Sequence, residues 1–323
     1  MIQVLRSEPQ NLGVELPILA REAYLRCKSA HYGWIVSKNF IVPFFIDKKL
    51  IFKRMVFTFE PVIHSPEGAD LNFFWQEAIL ELKKLKLADF IFKAQSNVVL
   101  TCGPQDSVSV PWGTLEVNIH RSDEEILEAC HGKHRNVIRK AIKDGVKVRL
   151  ESNPEVIYQH IHETMLRQNL PYFPSQSYLT CLREELPNNV LFVIAEFEGK
   201  IQGCAVVVFD SYRAYYMYGG SVAKPYTGSL NLLHYETMKI LRDKGVLVYD
   251  LVGARVKVVP GSKQEGIQNF KIRFGAEMRT GIAFRYVFNP IRYKLFNLSA
   301  KVFLALKGTK YVDPIDQIRR EMQ

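Results

Sequence analysis

The sequence predicts a mixed α/β protein built from two similar units in tandem, each a mostly antiparallel sheet flanked by helices. Three observations predict it. The chain has 323 residues, about two domains' worth. Residues 32–92 read as a meander of short strands, then a helix, then one more strand. Residues 190–250 repeat that order, a duplication of pattern rather than of residue identity.

In the first unit the strands are Gly33–Val36, Ile41–Ile46, Leu50–Phe52 and Met55–Phe59, rich in aromatic and β-branched residues. Asp47-Lys48-Lys49 is the expected turn between the second and third. A helix is expected from about Asp70 to Leu87, because Phe73, Ala78, Leu80, Leu82 and Leu85 recur at helical spacing. Asp89–Phe92 closes the unit. In the second unit Val190–Glu196, Cys204–Phe209 and Ala214–Tyr218 form the meander. A helix follows from Ser229 to Asp243, stopped by Gly245, and Val246–Asp250 is the closing strand.

Between the two lies one expected helix, Asp123 to Asp144, with Ser122 as N-cap, three acidic residues in its first turn and Gly145 as its stop. Arg135, Arg139 and Lys143 are four apart and share a face, which is either a solvated face or a phosphate-contacting ridge. The C-terminal stretch Pro290–Lys307 places Ile291, Leu295, Leu298 and Val302 on one stripe, punctuated by Arg292, Lys294, Lys301 and Lys307. A helix docked on its own protein is the first reading, and a helix lying on an anionic membrane the second. The expected boundaries are 1–122 for the first domain, with 289–323 packing on it, and 123–288 for the second.

Composition narrows the function classes. At 47% hydrophobic and 24% charged, the chain is globular rather than disordered or collagenous. No apolar run approaches the roughly 20 residues of a membrane span. Arg6 and Glu8 fall where a secretory leader needs its apolar stretch, so a cytoplasmic setting is expected. The five cysteines are scattered, with no C-x-x-C, which argues against a disulfide framework and a zinc knuckle and fits a reducing compartment. A formal net charge of +10 attracts polyanions such as RNA, nucleotide-sugar phosphates or an anionic membrane face. P-loop, nucleophile-elbow and zincin motifs are absent. His131 and His134 sit three apart beside Cys130 with no further ligand in view, so no metal and no cofactor are expected.

Five motifs in order carry more. They are Arg135-Asn136-x-Ile138-x-Lys140-Ala141-x-Lys143-x-Gly145-Val146, Thr164-x-x-Arg167, Tyr215-Tyr216-x-Tyr218-Gly219-Gly220-Ser221, Tyr249-Asp250-x-x-Gly253 and Phe270-Lys271-x-x-Phe274-Gly275. Together, over about Glu125 to Phe288, they resemble the Fem family of nonribosomal peptidyltransferases, whose fold is two tandem GCN5-related acyltransferase (GNAT-like) domains. The resemblance implies transfer of an amino acid from aminoacyl-tRNA to an amine of a peptidoglycan precursor or a related cell-envelope glycan. It implies that Lys271 is catalytic, that Arg167 contacts the acceptor's pyrophosphate, and that Tyr216, Tyr218, Gly219, Gly220, Asp250 and Phe270 line the substrate site. The ridge of Arg135, Arg139 and Lys143 would meet tRNA phosphate.

The chemistry of these side chains agrees with those roles. Acyl transfer needs charge stabilised at the carbonyl or leaving oxygen, which an ammonium supplies. A guanidinium offers a planar fork to phosphate, and paired glycines let backbone approach a ligand closely. The segment Gly266–Gly275 is expected to begin a helix, the exposed head of Lys271 reaching a groove beside Tyr216 and Tyr218. Two other classes compete: an acyl-CoA-dependent N-acyltransferase on an amino sugar, and a non-catalytic RNA- or membrane-binding module. Lys224–Leu230, where CoA-dependent relatives carry a phosphate-cradling glycine turn, lacks the arginine or glutamine and the second glycine, which weighs against CoA.

Overall fold

The computed structural model describes residues 2–170, 173–306 and 308–322; Lys307 of the C-terminal stripe lies outside them. Along the chain run β1 (Gln3–Leu5), α1 (Glu22–Lys28), β2 (Tyr32–Val36), β3 (Phe40–Lys49), β4 (Phe52–Phe57), β5 (Val62–Ile63), α2 (Leu71–Leu85), β6 (Phe90–Ile91) and β7 (Val108–Asn118). Then come α3 (Asp123–Ala129), α4 (Gly132–Lys143), β8 (Lys147–Leu150), α5 (Pro154–Arg167), α6 (Gln176–Glu185), β9 (Val190–Phe197), β10 (Lys200–Phe209) and β11 (Arg213–Ser221). The chain ends with α7 (Ser229–Asp243), β12 (Val248–Asp250), α8 (Lys263–Ile272), β13 (Glu277–Val287), α9 (Pro290–Leu306) and α10 (Pro314–Met322).

The chain forms two compact units. One is Met1–Thr114 with Gly253–Pro260 and Arg279–Gln323; the other is Leu115–Val252 with Gly261–Met278. The sequence boundaries, 122/123 and 288/289, thus differ from the observed partition, which also returns 253–260 and 279–288 to the first unit. In the first unit the strands are ordered β1-β2-β3-β4-β6-β13. β6 runs parallel to β4 and β13 antiparallel to β6. In the second unit the order is β8-β9-β10-β11-β12-β7, with β12 parallel to β11 and β7 antiparallel to β12. The two orders are the same: a meander, a helical crossover to a parallel strand, and an antiparallel neighbour. In each unit that last neighbour comes from a remote part of the chain.

Two local expectations fail for visible reasons. The helix expected over 123–144 is two helices. Ser122 and Glu125 form the capping box of α3, but Cys130 is extended and His131 starts α4. The His131 ring accepts from the Lys133 N–H at 3.2 Å, and the His131 backbone N–H donates to the Arg273 carbonyl at 2.8 Å. Asp47-Lys48-Lys49 is not a turn, because β3 runs through Lys49 and reverses at Leu50-Ile51 with Leu50 at φ +55°. Cys102, Cys130 and Cys204 are free thiols, whereas Cys27 and Cys181 are disulfide-bonded, so the chain is not thiol-only.

The first unit's core is aromatic. Trp75 of α2 meets Phe57 at 5.6 Å and Phe284 at 5.5 Å between ring centroids. A second cluster joins α9 to the sheet through Phe296, which meets Phe90 at 5.1 Å and Phe52 at 5.6 Å. Buried Asp313 secures the C-terminal helices. It pairs with Arg285 of β13 at 2.7 Å, accepts from the Tyr293 hydroxyl of α9 at 3.1 Å and from the Ile315 N–H at 2.9 Å. In the second unit β9 and β10 are nearly continuous runs of buried residues, as strands covered on both faces are. Asp313→Ala leaves the buried Arg285 guanidinium only the half-exposed Asp316, at 3.1 Å, and the expected cost is about 1–3 kcal/mol in denaturant unfolding. A loss below about 1 kcal/mol would show that Asp313 does not hold these helices.

Candidate active site

The site begins where a strand ladder stops. β11 and β12 pair only over Arg213–Tyr215 and Val248–Asp250. Asp250, at the end of that register, is fully buried. Its Oδ1 accepts from the Val252 N–H at 2.8 Å, which turns the chain sharply. Val252 stands at φ +42°, a left-handed conformation that a β-branched residue rarely adopts. Such strain costs on the order of 1–3 kcal/mol and persists only where the surroundings impose it. Here the Val252 carbonyl is held by Lys271 Nζ.

The helix begins at Lys263, before Gly266, so Lys271 is in the last turn of α8, and its head is turned inward rather than exposed. Burial pushes its ammonium down to about 8, while the Asp250 carboxylate pulls it back up. Lys271 and Asp250 therefore form one electrostatic site, which the motif spacing alone did not require.

Around them is a ring of aromatics centred on His234 of α7. The His234 ring lies 4.7 Å from Tyr216, 5.7 Å from Phe270 and 5.2 Å from Phe274, centroid to centroid. Its Nδ1 shares a 3.0 Å hydrogen bond with the Tyr249 hydroxyl. Burial, with the Lys271 charge beside it, pushes His234 down to about 3, so the imidazole is neutral at physiological pH. Burial raises the Tyr216 and Tyr249 hydroxyls in the opposite sense, so both stay protonated. His134 of α4 completes the ring, 4.7 Å from Phe274, with Nε2 3.0 Å from the Phe270 carbonyl. The site is a largely buried, mostly neutral cluster carrying one ammonium, one carboxylate and two phenols.

Lys271, Asp250, Phe270 and Tyr216 thus come together. Of the other expected residues, Gly219 adjoins Tyr216 and the rest have their contacts elsewhere. Tyr218 meets Tyr178 of α6 edge-on at 5.9 Å, and burial pushes its hydroxyl up to about 12. The register of β10 and β11 shifts between Val206 and Val207, opposite Tyr218 and Tyr216. Gly219 leaves room for the Tyr216 hydroxyl, which a Cβ there would strike. Gly220 lies against α5: a Cβ would stand 2.5 Å from the His160 carbonyl oxygen and 2.7 Å from the Ile161 nitrogen. The close approach that these glycines permit is therefore already taken by the protein itself.

Arg167 donates from Nη2 to the Ser221 carbonyl at 2.7 Å and remains exposed. Arg135 donates to the Glu128 carbonyl at 2.7 Å, and Arg139 and Lys143 are exposed. On α4 these three are turned about 100–180° from His134, so the helix gives its apolar face to the site and its basic face to solvent.

Sequence reasoning missed His234, Tyr249 and His134. His234 was legible, since it lies four residues from Met238 and seven from Leu241 on a helix whose other residues at that spacing are apolar core. His134 was read only as a neighbour of His131, yet it shares the buried face of Ile138 and Ala141. Among the described residues no group of three or more His, Cys, Asp or Glu is placed to hold a metal.

No family model matches the chain, and no curated protein does. Solved structures do match. FemX has a TM-score of 0.64 at 14% identity, covering 86% of this chain and 94% of its own. The C-terminal domain of a putative lysylphosphatidylglycerol synthetase from Agrobacterium fabrum has a TM-score of 0.50 at 15% identity, covering 84% and 88%. L-PGS from Bacillus licheniformis has a TM-score of 0.50 at 12% identity, covering 80% and 84%. At these identities the likeness is one of fold. The fold is mixed α/β and Fem-like, with the same strand order in both units.

Because the Gly220 contact is backbone against backbone, Gly220→Ala should cost about 1–3 kcal/mol of stability, read as a lowered melting temperature. A variant as stable as the parent would return Gly220 to a role in substrate approach.

Proposed function

We propose that the protein is an aminoacyltransferase, moving an amino acid from aminoacyl-tRNA to an amine of a peptidoglycan precursor or a related cell-envelope glycan. The observation that carries this reading is the Lys271 ammonium, bonded to the Val252 carbonyl and under the field of the Asp250 carboxylate where the β11–β12 ladder ends. The likeness to FemX, and to a domain named for lysylphosphatidylglycerol synthesis, supports it at the level of fold.

In the reaction the acceptor amine attacks the ester carbonyl of the donor, the new C–N bond forms, and the bond to the ribose oxygen breaks. Negative charge gathers first on the carbonyl oxygen and then on the ribose oxygen. The Lys271 ammonium stabilises that charge by hydrogen bonding, and the proton released by the amine ends on the ribose hydroxyl. The dry aromatic wall of Tyr216, Phe270 and His234 strengthens the effect by excluding water. Arg167, anchored by one nitrogen at the end of β11, offers its exposed edge to the acceptor's pyrophosphate. The basic ridge of Arg135, Arg139 and Lys143 offers tRNA phosphates a salt-sensitive contact.

The start of α7 supports a donor other than acyl-CoA. Gly228, its N-cap, lies against the Val137 carbonyl of α4 with no space for a Cβ. Tyr226 beside it donates to Asp144 at 2.6 Å and stacks on Phe197 at 3.9 Å. Two N–H groups of the turn, which a CoA pyrophosphate would need exposed, are already engaged: that of Tyr226 by Gln202 Oε1 at 2.9 Å and that of Ser229 by the Tyr226 carbonyl at 3.0 Å.

Lys271→Met should lower the transfer rate roughly 10²–10³-fold, as loss of one oxyanion donor does. The pH dependence has a definite sign. The ammonium form is required and its pKa is about 8, so the rate should fall as pH rises through 8. In Lys271→Arg that falling limb should vanish, because a guanidinium stays charged. Transfer from aminoacyl-tRNA to a muropeptide at parental rate in Lys271→Met would remove Lys271 from the chemistry. Near-micromolar acetyl-CoA binding, about −8 kcal/mol, would replace the proposal with N-acyl transfer from CoA.

A further inference from the structure

The stripe read from sequence on the C-terminal helix faces solvent. Of α9, Phe296 and Leu304 are buried in the first unit's core. Ile291, Leu295, Leu298 and Val302 are on the opposite side, with Ile291 72% and Leu298 60% exposed. Leu306, next on the same stripe, is 83% exposed. The helix is thus apolar on two sides, and only one side is used by the fold. Lys294 and Lys301 run along one flank of the exposed stripe.

A second apolar patch adjoins it. At the tip of the β3–β4 hairpin Leu50 is 91% exposed and Ile51 66%. Leu50 is at φ +55°, where glycine or asparagine would be the cheaper residue. An exposed leucine in a strained turn is costly twice over and contributes nothing to the core. The hairpin and the helix are joined: Arg292 of α9 donates to the Ile51 carbonyl, and Phe52 packs on Phe296. Arg292 is in turn fixed by Asp89 at 2.8 Å. Lys49 and Lys53 flank the tip, and Asp47 is the acidic residue there, paired with Arg54 and, at 3.6 Å, with Lys49.

We propose that the β3–β4 tip and the outer face of α9 form one surface that docks on an anionic lipid bilayer, Leu50, Ile51, Leu298 and Leu306 entering the interface and Lys53, Lys294 and Lys301 meeting the headgroups. The charge pattern selects the occupant. A protein partner's apolar groove would be served by the stripe alone, whereas apolar residues bordered by exposed lysines fit a surface that is oily below and negative above. Among the described residues no helix is long and apolar enough to cross a membrane, so the contact is peripheral. The inference rests on exposure and charge, not on the proposed reaction.

The test is co-sedimentation of the full chain with phosphatidylcholine vesicles and with vesicles containing phosphatidylglycerol. Binding is expected to the anionic vesicles and to weaken with salt. Leu50→Asp with Ile51→Asp should reduce it roughly tenfold or more, and Leu298→Glu similarly. Lys294→Glu and Lys301→Glu should each reduce it roughly fivefold. All these side chains are exposed, so unchanged melting temperatures are expected and keep a loss of binding interpretable. Tyr212→Asp, an exposed apolar position in the second unit, should leave binding unchanged. Three results would overturn the proposal: no binding to either vesicle, equal binding to both, or a dimer at the same concentrations that the Leu50 and Leu298 variants abolish. The last would show that a second copy of this chain covers the surface.

Discussion

The end of the β11–β12 ladder is the constraint on which the second unit's chemistry depends. Parallel pairing stops after three residues, and a chain that leaves a ladder must satisfy its backbone groups elsewhere. Asp250 does this for the Val252 N–H, and Lys271 does it for the Val252 carbonyl. The result is a buried carboxylate and a partly buried ammonium fixed by the same strained turn. Neither would be stable there alone, since burial of an unpaired charge is expensive. Their mutual presence lets an aromatic pocket hold a cation with a pKa near the physiological range.

The surrounding ring follows from that pair. An ammonium beside His234, together with its burial, keeps the imidazole neutral, and a neutral imidazole can share a hydrogen bond with a protonated tyrosine. Phe270 and Phe274, four residues apart on α8, carry Lys271 into place by fitting between His234 and His134. The glycines of β11 serve the same end indirectly. Gly220 lets α5 approach the strand, and Gly219 clears the Tyr216 hydroxyl, so Tyr216 can reach His234.

The two units solve one folding problem in the same way. Each sheet begins as a meander, which needs only local turns, and grows by a helical crossover to a parallel strand. The final strand of each is distant in sequence: β13 in the first unit and β7 in the second. No single cut in the chain separates the units, which is why a boundary placed by composition differs from the observed partition. Asp313 plays the corresponding part at the C-terminus, tying β13, α9 and the start of α10 to one carboxylate.

The sequence by itself determined most element types, their doubled order and the helix stops at Gly145 and Gly245. These are local properties: side-chain periodicity, cap chemistry and the steric freedom of glycine act within a few residues. The grouping of Lys271, Phe270, Asp250 and Tyr216 came from the resemblance of their motifs to a family. The tertiary structure decided the rest. It broke the helix at Cys130, where the His131 N–H leaves the helical ladder for the Arg273 carbonyl. It turned Lys271 inward, because only folding brings Val252 and Asp250 to α8. It placed His234 and His134 in the site and left the α9 stripe facing solvent. Periodicity can show that a helix has an apolar face, but which face the core takes depends on what the rest of the chain has to cover.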